Sequence, residues 1–420
     1  MEEKKEVPLG HLAPDCAFLM IMNVFETAYC RLYQFFLNRI AMPFLRFPKR
    51  EVFQGNSSLL DVPLFLKKKG IEKPFIFVSK SVSKTPHYQR FVSLLMENGF
   101  PLTEFKRIRE NPETPLIEKA AEEAREKGAD ALIAIGGGSI IDTAKAVGAM
   151  LANPKKGLLM MRGLLKVRKR FPMLLAIPTT AGSGSEATIA SVVTDPSKKD
   201  KFAINSPKLL PQVVVLDDEL LRSLPPRIIA NTGMDALTHA LEAYLGHALT
   251  KESKEAALES ILLIHASLLP FYRNPNDDVA RENMLKASYL AGISFTHSYV
   301  GYVHALAHSL GGEYDIPHGY ANAVILPHVL RKYGKKASKK LSYLVEILNL
   351  DGQKKETAFI EYIEKLKEEL GIPKTFGSII QEKDLHYLSW HASKEANPLY
   401  PVPKEMNRKE LEKILKELSL

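Results

Sequence analysis

Four side chains in the second half of the chain could hold a divalent cation: Asp235, His239, His304 and His318. Asp235 and His239 stand four apart in Gly233-Met234-Asp235-Ala236-Leu237-Thr238-His239, a segment that reads as helix. That spacing puts both side chains on one helix face, a turn apart. His304 and His308 repeat it in His304-Ala305-Leu306-Ala307-His308, and His318 follows in Ile316-Pro317-His318-Gly319, where proline and glycine predict a loop or a helix start. Neutral imidazoles and a carboxylate suit first-row divalent metals and leave a coordination position for a substrate oxygen. A single His pair at this spacing is commonplace. Two pairs with Pro-His-Gly exceed coincidence.

A second constellation is a glycine turn. The apolar run Ala131-Leu132-Ile133-Ala134-Ile135 leads through Gly136-Gly137-Gly138-Ser139 into a helical pattern from Ile140 to Met150. A strand-to-helix turn without side chains brings backbone N–H groups and the positive end of a helix to one point, which is a phosphate cradle. It departs from the usual dinucleotide fingerprint, because the third glycine would fall on Ile141. Pro178-Thr179-Thr180-Ala181-Gly182-Ser183-Gly184-Ser185-Glu186 forms another small, hydroxyl-rich loop after a strand. Its hydroxyls and amides could bind phosphate, ribose or carboxamide.

The elements that must position these groups alternate. Strand runs at 75–78, 131–135, 174–177 and 213–216 are interleaved with helical patterns, including Pro115 to Lys127. This predicts an α/β domain with an open, mostly parallel sheet. After Pro225-Pro226 the strand runs fade into long helical patterns. The expected organisation is an N-terminal helical extension over 1–50, a dinucleotide-binding α/β domain over 51–225 and an all-α metal-binding domain over 226–420. At 420 residues the chain can bury a substantial core in each domain.

Composition narrows the class. Two cysteines, Cys16 and Cys30, make no disulfide framework, so a cytoplasmic protein is expected. Net charge is +9, with a basic run of Lys155, Lys156, Arg162, Lys166, Arg168, Lys169 and Arg170. No interleaved aromatics or zinc-finger spacing accompany it, so it reads as a solvated surface loop and no nucleic-acid partner is expected. From Phe18 to Phe44 apolar residues dominate, with Phe18, Ile21, Met22, Phe25, Tyr29, Leu32, Phe36 and Ile40 near helical spacing. Polar residues such as Asn23, Glu26, Arg31, Gln34 and Arg39 interrupt it, which argues against a membrane span or signal peptide. An amphipathic helix packed on the body or on a partner subunit is expected, with membrane contact the lesser alternative.

These motifs, in this order and spacing from about residue 50 to the end, resemble the iron-containing (group III) alcohol dehydrogenases. The resemblance rests on Gly136–Lys145, the loop 178–186, Gly233–His239, and His304–His308 through Pro317-His318-Gly319. It implies a dinucleotide-binding α/β domain, an all-helical metal domain and a cleft between them. Carried over residue by residue, it implies metal ligation by Asp235, His239, His304 and His318. His308 falls on the family's neighbouring non-ligand histidine, a candidate catalytic group for proton transfer. Gly137, Gly138, Ser139 and Asp142 fall on the cofactor-phosphate turn, and Thr179, Thr180, Ser183, Thr188 and Lys201 on other cofactor positions. Ser183 replaces the more usual threonine and keeps its hydroxyl. Ser79 stands where many members carry aspartate at the end of the first strand, which opens the choice between NAD and NADP. A subgroup begins with a similar aromatic-rich helix, so a native start at Met22 is expected.

The resulting expectation is a metal-dependent alcohol dehydrogenase or aldehyde reductase. It would use Fe2+ or Zn2+ and NADP or NAD, act on a small primary alcohol or aldehyde, and form a homo-oligomer, a dimer. Two alternatives differ in class. A lyase of dehydroquinate-synthase type would need basic residues clustered for a polyanionic substrate. A membrane-associated, non-enzymatic component would leave the metal and glycine motifs without a task.

Overall fold

The protein, analysed as a computed structural model, is described over residues 25, 27–36, 47–197, 200–352 and 355–420. Residues 27–36 are helical (α1). There follow β1 (Glu51–Gln54), α2 (Val62–Lys68), β2 (Pro74–Val78), α3 (Pro86–Glu97), β3 (Glu104–Phe105), α4 (Thr114–Glu126), β4 (Ala131–Gly136) and α5 (Gly138–Ala152). Next come α6 (Leu158–Met161), β5 (Gly163–Leu164), β6 (Leu174–Pro178), β7 (Ala190–Asp195), β8 (Asp200–Asn205) and β9 (Val213–Leu216).

Six strands form one parallel sheet in the order β1-β9-β6-β4-β2-β3. Its central strands are apolar throughout because helices cover both faces. Side chains alternate: Ile76, Val78, Ile133, Ile135, Leu175 and Ile177 join the apolar cluster on one face. Phe75, Phe77, Leu132, Ala134, Leu174 and Ala176 join the cluster on the other. Each of the larger side chains contributes about 1.5–3 kcal/mol when fully buried. The chain runs from β2 out to β3, then returns to β4 on the opposite side of β2. Open sheets bind ligands at such a reversal, beyond the carboxyl ends of the strands. Ser79 follows β2 there, and the glycine turn follows β4.

The four sequence-predicted strands are β2, β4, β6 and β9. β1, β3, β5 and the β7–β8 pair carried no readable signal. The first three are two to four residues long. β7 and β8 pair antiparallel in a separate three-stranded sheet with β5, and β7 buries only alternate residues.

From Pro226 onward the described residues contain helices and no strand: α7 (Pro226–Leu245), α8 (Lys251–Arg273), α9 (Asp278–Ser298), α10 (Tyr302–Tyr314), α11 (His318–Tyr333), α12 (Lys335–Ile347), α13 (Lys355–Glu369), α14 (Leu385–Ala396) and α15 (Arg408–Leu418). Pro226 occupies the first turn of α7, where a missing N–H costs nothing. Packing does not part at the proline pair. One apolar cluster runs from the sheet face through Met234, Leu237 and Leu241 of α7 to Leu418.

The basic run is a surface loop interrupted by α6 and β5: its seven cations lie outside both elements, and Arg170 donates to the carbonyls of Pro207 and Leu210. Helix α1 lies on the body as expected, and does so by its polar side. Gln34 donates to the carbonyls of Pro398 and Tyr400, and Arg31 to those of Val402 and Pro403 and to Glu405. Phe25, Tyr29, Leu32 and Phe36 face outward. Backbone carbonyls in the segment 398–403 attract donors more strongly than they attract a hydrocarbon face. Phe18, Ile21, Met22 and Ile40 lie outside the described residues.

Candidate metal and cofactor site

Helix α7 presents Asp235 and His239 one turn apart, α10 presents His304, and His318 is the first residue of α11. One ligand atom from each of the four lies within 4.8 Å of all the others. The approach of α11 to α7 requires Gly319. A Cβ there would stand 2.4 Å from the Asn231 carbonyl oxygen, so only glycine lets His318 reach Asp235, 3.6 Å away.

Charge at the cluster favours a cation. Burial drives His239 and His304 below the usual histidine range, and the neighbouring histidines push His304 further down. His318 shifts the same way by desolvation, although 38 % of its side chain still reaches solvent on the open side of the cluster. Three neutral bases and one carboxylate therefore converge. The positive end of an amide already answers them: Asn322 Nδ2 lies 2.7 Å from Asp235 Oδ1, 3.2 Å from His304 Nε2 and 3.1 Å from His318 Nε2. This donor set fits a divalent metal.

Outer groups orient the ligands. Glu242, two turns after Asp235 on the same face of α7, accepts from His304 Nδ1 at 2.6 Å and from the Gly301 and Val303 amides at 2.7 Å each. With Nδ1 so engaged, His304 Nε2 is free for a metal. Burial pushes the Glu242 carboxyl up to about 7, against the pull of those donors. The His239 ring stacks on Phe295 at 4.2 Å, which walls that side with hydrocarbon. His308 stands outside the four-ligand group but stacks on His318 at 5.0 Å. Its Nδ1 is 2.7 Å from Glu395 Oε1, the oxygen that also accepts from Tyr400 Oη at 2.7 Å. Burial alone would lower the His308 pKa; the Glu395 carboxylate outweighs it, and the net shift is upward.

The cofactor candidates split into two groups. At the turn, no side chain caps the N-terminus of α5, so its first N–H groups remain for an anion. A Cβ on Gly138 would lie 2.8 Å from Ser183 Oγ, and one on Gly137 would lie 3.3 Å from Thr180 Oγ1. The two loops thus touch, with the Thr179 amide donating to the Gly136 carbonyl at 3.1 Å. The threonine loop also packs on α7, because Gly182 abuts Thr232. Ser139 sits in the first turn of α5. Asp142 and Thr188 belong to a different network. Asp142 accepts from Ser185 Oγ and the Val192 amide, and Thr188 Oγ1 accepts from Lys145, so both hold the loop in place. Lys201, on β8, lies by α10, its Nζ 3.5 Å from where a Gly311 Cβ would stand, and its charge is felt at His308 and His318. Ser79 Oγ accepts from the Val82 amide at 3.2 Å and lies 3.1 Å from Ser81 Oγ.

Sequence reasoning passed over Glu242, Asn322, Glu395 and Tyr400. Glu242 was detectable as the next position on the Asp235–His239 face, and Asn322 as the residue one turn after His318. Nothing local points to Glu395, which is 87 residues from His308.

Family models match nearly all of the described body. Residues 48–218 match iron-containing alcohol dehydrogenase, and residues 229–419 match the C-terminal part of the Fe-containing alcohol dehydrogenase family. The chain belongs to the iron-containing alcohol dehydrogenases. It is 36% identical over 329 residues to a 1,3-propanediol dehydrogenase of Citrobacter freundii, covering 77% of this chain and 84% of that protein. To a lactaldehyde reductase of Escherichia coli K12 it is 33% identical over 314 residues, covering 73% and 82% respectively. The crystal structure of a 1,3-propanediol oxidoreductase superposes with a TM-score of 0.83 at 31% identity, over 89% of this chain and all of that one.

As a member of this family the protein is a metal- and nicotinamide-dependent oxidoreductase of alcohols and aldehydes, and the lyase alternative falls away. No helix among the described residues is long and apolar enough to cross a membrane. Within this dehydrogenase Lys145 ties α5 to the threonine loop. Its Nζ donates to the Ser185, Thr188 and Ala190 carbonyls at 2.6–3.0 Å and to the hydroxyls of Ser185 and Thr188. Burial lowers its pKa to about 8. Lys145→Met leaves those acceptors and Asp142 without their cation, so stability should fall by about 3–5 kcal/mol. Denaturant unfolding measures this; an unchanged midpoint would show that the loop holds itself.

Proposed function

We propose that the enzyme transfers hydride between a primary alcohol or aldehyde and NADP(H) or NAD(H) at a cation held by Asp235, His239, His304 and His318. The convergence of those four ligand atoms within 4.8 Å, beside two loops suited to a cofactor, carries this reading. In it, residues 51–225 bind the dinucleotide and residues 226–420 the metal. Fe2+ and Zn2+ both suit three imidazoles and a carboxylate. A cytoplasmic homodimer acting on small substrates completes the proposal.

When bound, the cation supplies Lewis acidity toward the substrate oxygen and the nicotinamide takes up or delivers hydride. The chain's own residues do the rest. Gly137, Gly138 and Ser139 receive the cofactor phosphates at the N-terminus of α5, while Thr179, Thr180 and Ser183 orient the remainder from the adjoining loop. Asp142 and Thr188 act through that loop, with Lys145 between them. His308, oriented through Nδ1 by Glu395, keeps Nε2 to exchange the hydroxyl proton directly or through water. Lys201 adds positive charge beside His308 and His318, and Phe295 keeps water from the His239 side.

Chelated enzyme reloaded with Fe2+ or Zn2+ should reduce aldehydes with NADH or NADPH. The panel should include lactaldehyde and, in the oxidising direction, 1,3-propanediol. Full activity in metal-free protein would refute the proposal.

NADPH should be used at least as well as NADH. An aspartate after β2 would bind the ribose 2′-hydroxyl and repel a 2′-phosphate. Ser79 is neutral and Lys80 beside it carries a positive charge suited to that phosphate. Ser79→Asp should shift relative kcat/KM toward NADH by about tenfold or more, equivalent to 1.4 kcal/mol of differential binding. A parent enzyme already strongly selective for NADH would sink the argument.

A further inference from the structure

The segment between α5 and β6 carries dense positive charge that the metal and cofactor site does not use. From Lys155 to Arg170 there are seven cations and no acid. Residues on both sides of it, from 47 to 197, belong to the described body. Its inner side is anchored. Leu158, Met161 and Val167 are buried in the apolar cluster on the second face of the sheet. Asn153 closes the segment into a loop: its Oδ1 accepts from the Arg168 and Lys169 amides at 3.2 and 3.0 Å, and its Nδ2 donates to the Lys169 carbonyl at 3.0 Å.

The outer side is mixed. Lys155, Lys166, Arg168 and Lys169 are exposed, and among the described residues no carboxylate pairs with them. Among these cations, Leu159 and Met160 of α6, Leu164 of β5 and Leu165 after it are 45–60 % exposed. Leu165 has a φ of 57°, a left-handed conformation that a bulky side chain rarely adopts. Its amide donates to the Asn205 carbonyl at 2.8 Å, which holds the backbone in that turn. The exposed leucine is built into the loop.

We propose that residues 155–169 form a peripheral docking surface for an anionic lipid membrane. The four cations meet the phosphates, and Leu159, Met160, Leu164 and Leu165 enter the acyl boundary. Three observations select that occupant. Charge of one sign fits a polyanionic face, and each cation beside an anionic leaflet raises partitioning roughly fivefold. Four aliphatic side chains among those cations fit an occupant that is apolar just beneath its charge, and stable attachment to lipid takes both signals. The segment contains no Phe, Tyr or Trp, the side chains on which nucleic-acid bases stack.

The surface lies away from the cleft. It starts beyond the C-terminal end of α5, whose 15 residues set it about 22 Å from the glycine turn. It ends before β6 begins, at the amino ends of the parallel strands, whereas Ser79 and the threonine loop follow the carboxyl ends. Docking therefore leaves the cleft open to solvent.

The test is vesicle flotation of the full-length, metal-loaded enzyme. Vesicles of phosphatidylcholine with phosphatidylserine should carry the enzyme upward, and vesicles of phosphatidylcholine alone should not. Binding should fall steeply at about 1 M salt, where the screening length is about 3 Å. Lys166→Glu with Arg168→Glu and Lys169→Glu should lower partitioning at least about 100-fold. Leu164→Ser with Leu165→Gly should lower it at least about tenfold, and glycine suits the left-handed turn, so the fold is spared. Both variants should keep the metal content and kcat of the parent in free solution, because none of these residues touches the site. Unmutated enzyme that floats with neither vesicle would overturn the proposal. Flotation retained in both variants would overturn it and place the lipid contact elsewhere on the chain. Loss in the charge variant with full binding in the leucine variant would also overturn it, since any polyanionic partner predicts that result. A fall in mass by light scattering in either variant would overturn it in favour of an interface between copies of this chain.

Discussion

His318→Ala should yield a folded enzyme that retains little metal and turns over little alcohol. His318 stands at the first position of α11 with part of its ring open to solvent, so truncation removes a ligand without emptying the core. Even an outer group that orients a ligand contributes about 10- to 100-fold to metal affinity; loss of a direct ligand should exceed that. Glu242→Gln supplies the comparison, since it keeps the shape but weakens the bond to His304 Nδ1 and should fall within that range. Metal analysis alongside turnover decides the matter. Full metal content with unchanged turnover in His318→Ala would remove His318 from the ligand set.

The second large effect separates proton transfer from metal binding. His308→Ala should keep its metal and lose about 10²- to 10⁴-fold in kcat, the usual contribution of a positioned acid–base group. His308 is held by Glu395 and not by the four-ligand group, which is why the two losses should come apart. Glu395→Gln should fall between His308→Ala and the parent, because the amide can still accept from Nδ1 but no longer holds positive charge on the ring. Tyr400→Phe should weaken turnover less again, as Glu395 would keep His308 and lose only the phenol. A His308→Ala enzyme with the turnover and pH–rate profile of the parent would end the proton-relay role.

Much of the fold and the site was legible from local rules. The strands β2, β4, β6 and β9 are continuous apolar runs because both faces of a parallel sheet are buried, and that leaves an unmistakable pattern. Asp235 and His239 could be paired from their spacing, since helical period alone sets which residues share a face. The glycine turn was legible for a similar reason: bare backbone between a strand and a helix has few purposes other than close approach. A second histidine pair and Pro-His-Gly brought His304 and His318 to that pair, and resemblance to a known family set His308 outside the ligand set.

What only the tertiary structure decided is where distant segments meet. Gly319 reads as a loop residue until α11 is seen to press on the Asn231 carbonyl. Asp142 and Thr188, which share motifs with the cofactor loops, prove to face Ser185, Val192 and Lys145, an allocation set by which donor lies nearest in space. Glu395 reaches His308 across 87 positions of chain as α14 packs on α10, and Tyr400 then bonds Glu395. The orientation of α1 is the sharpest case. Its sequence shows two faces but not which one turns inward, because that depends on carbonyls at 398–403 that a helical pattern cannot register. Local sequence determines the period and the face of an element; the partner that satisfies its polar groups determines which way the face turns.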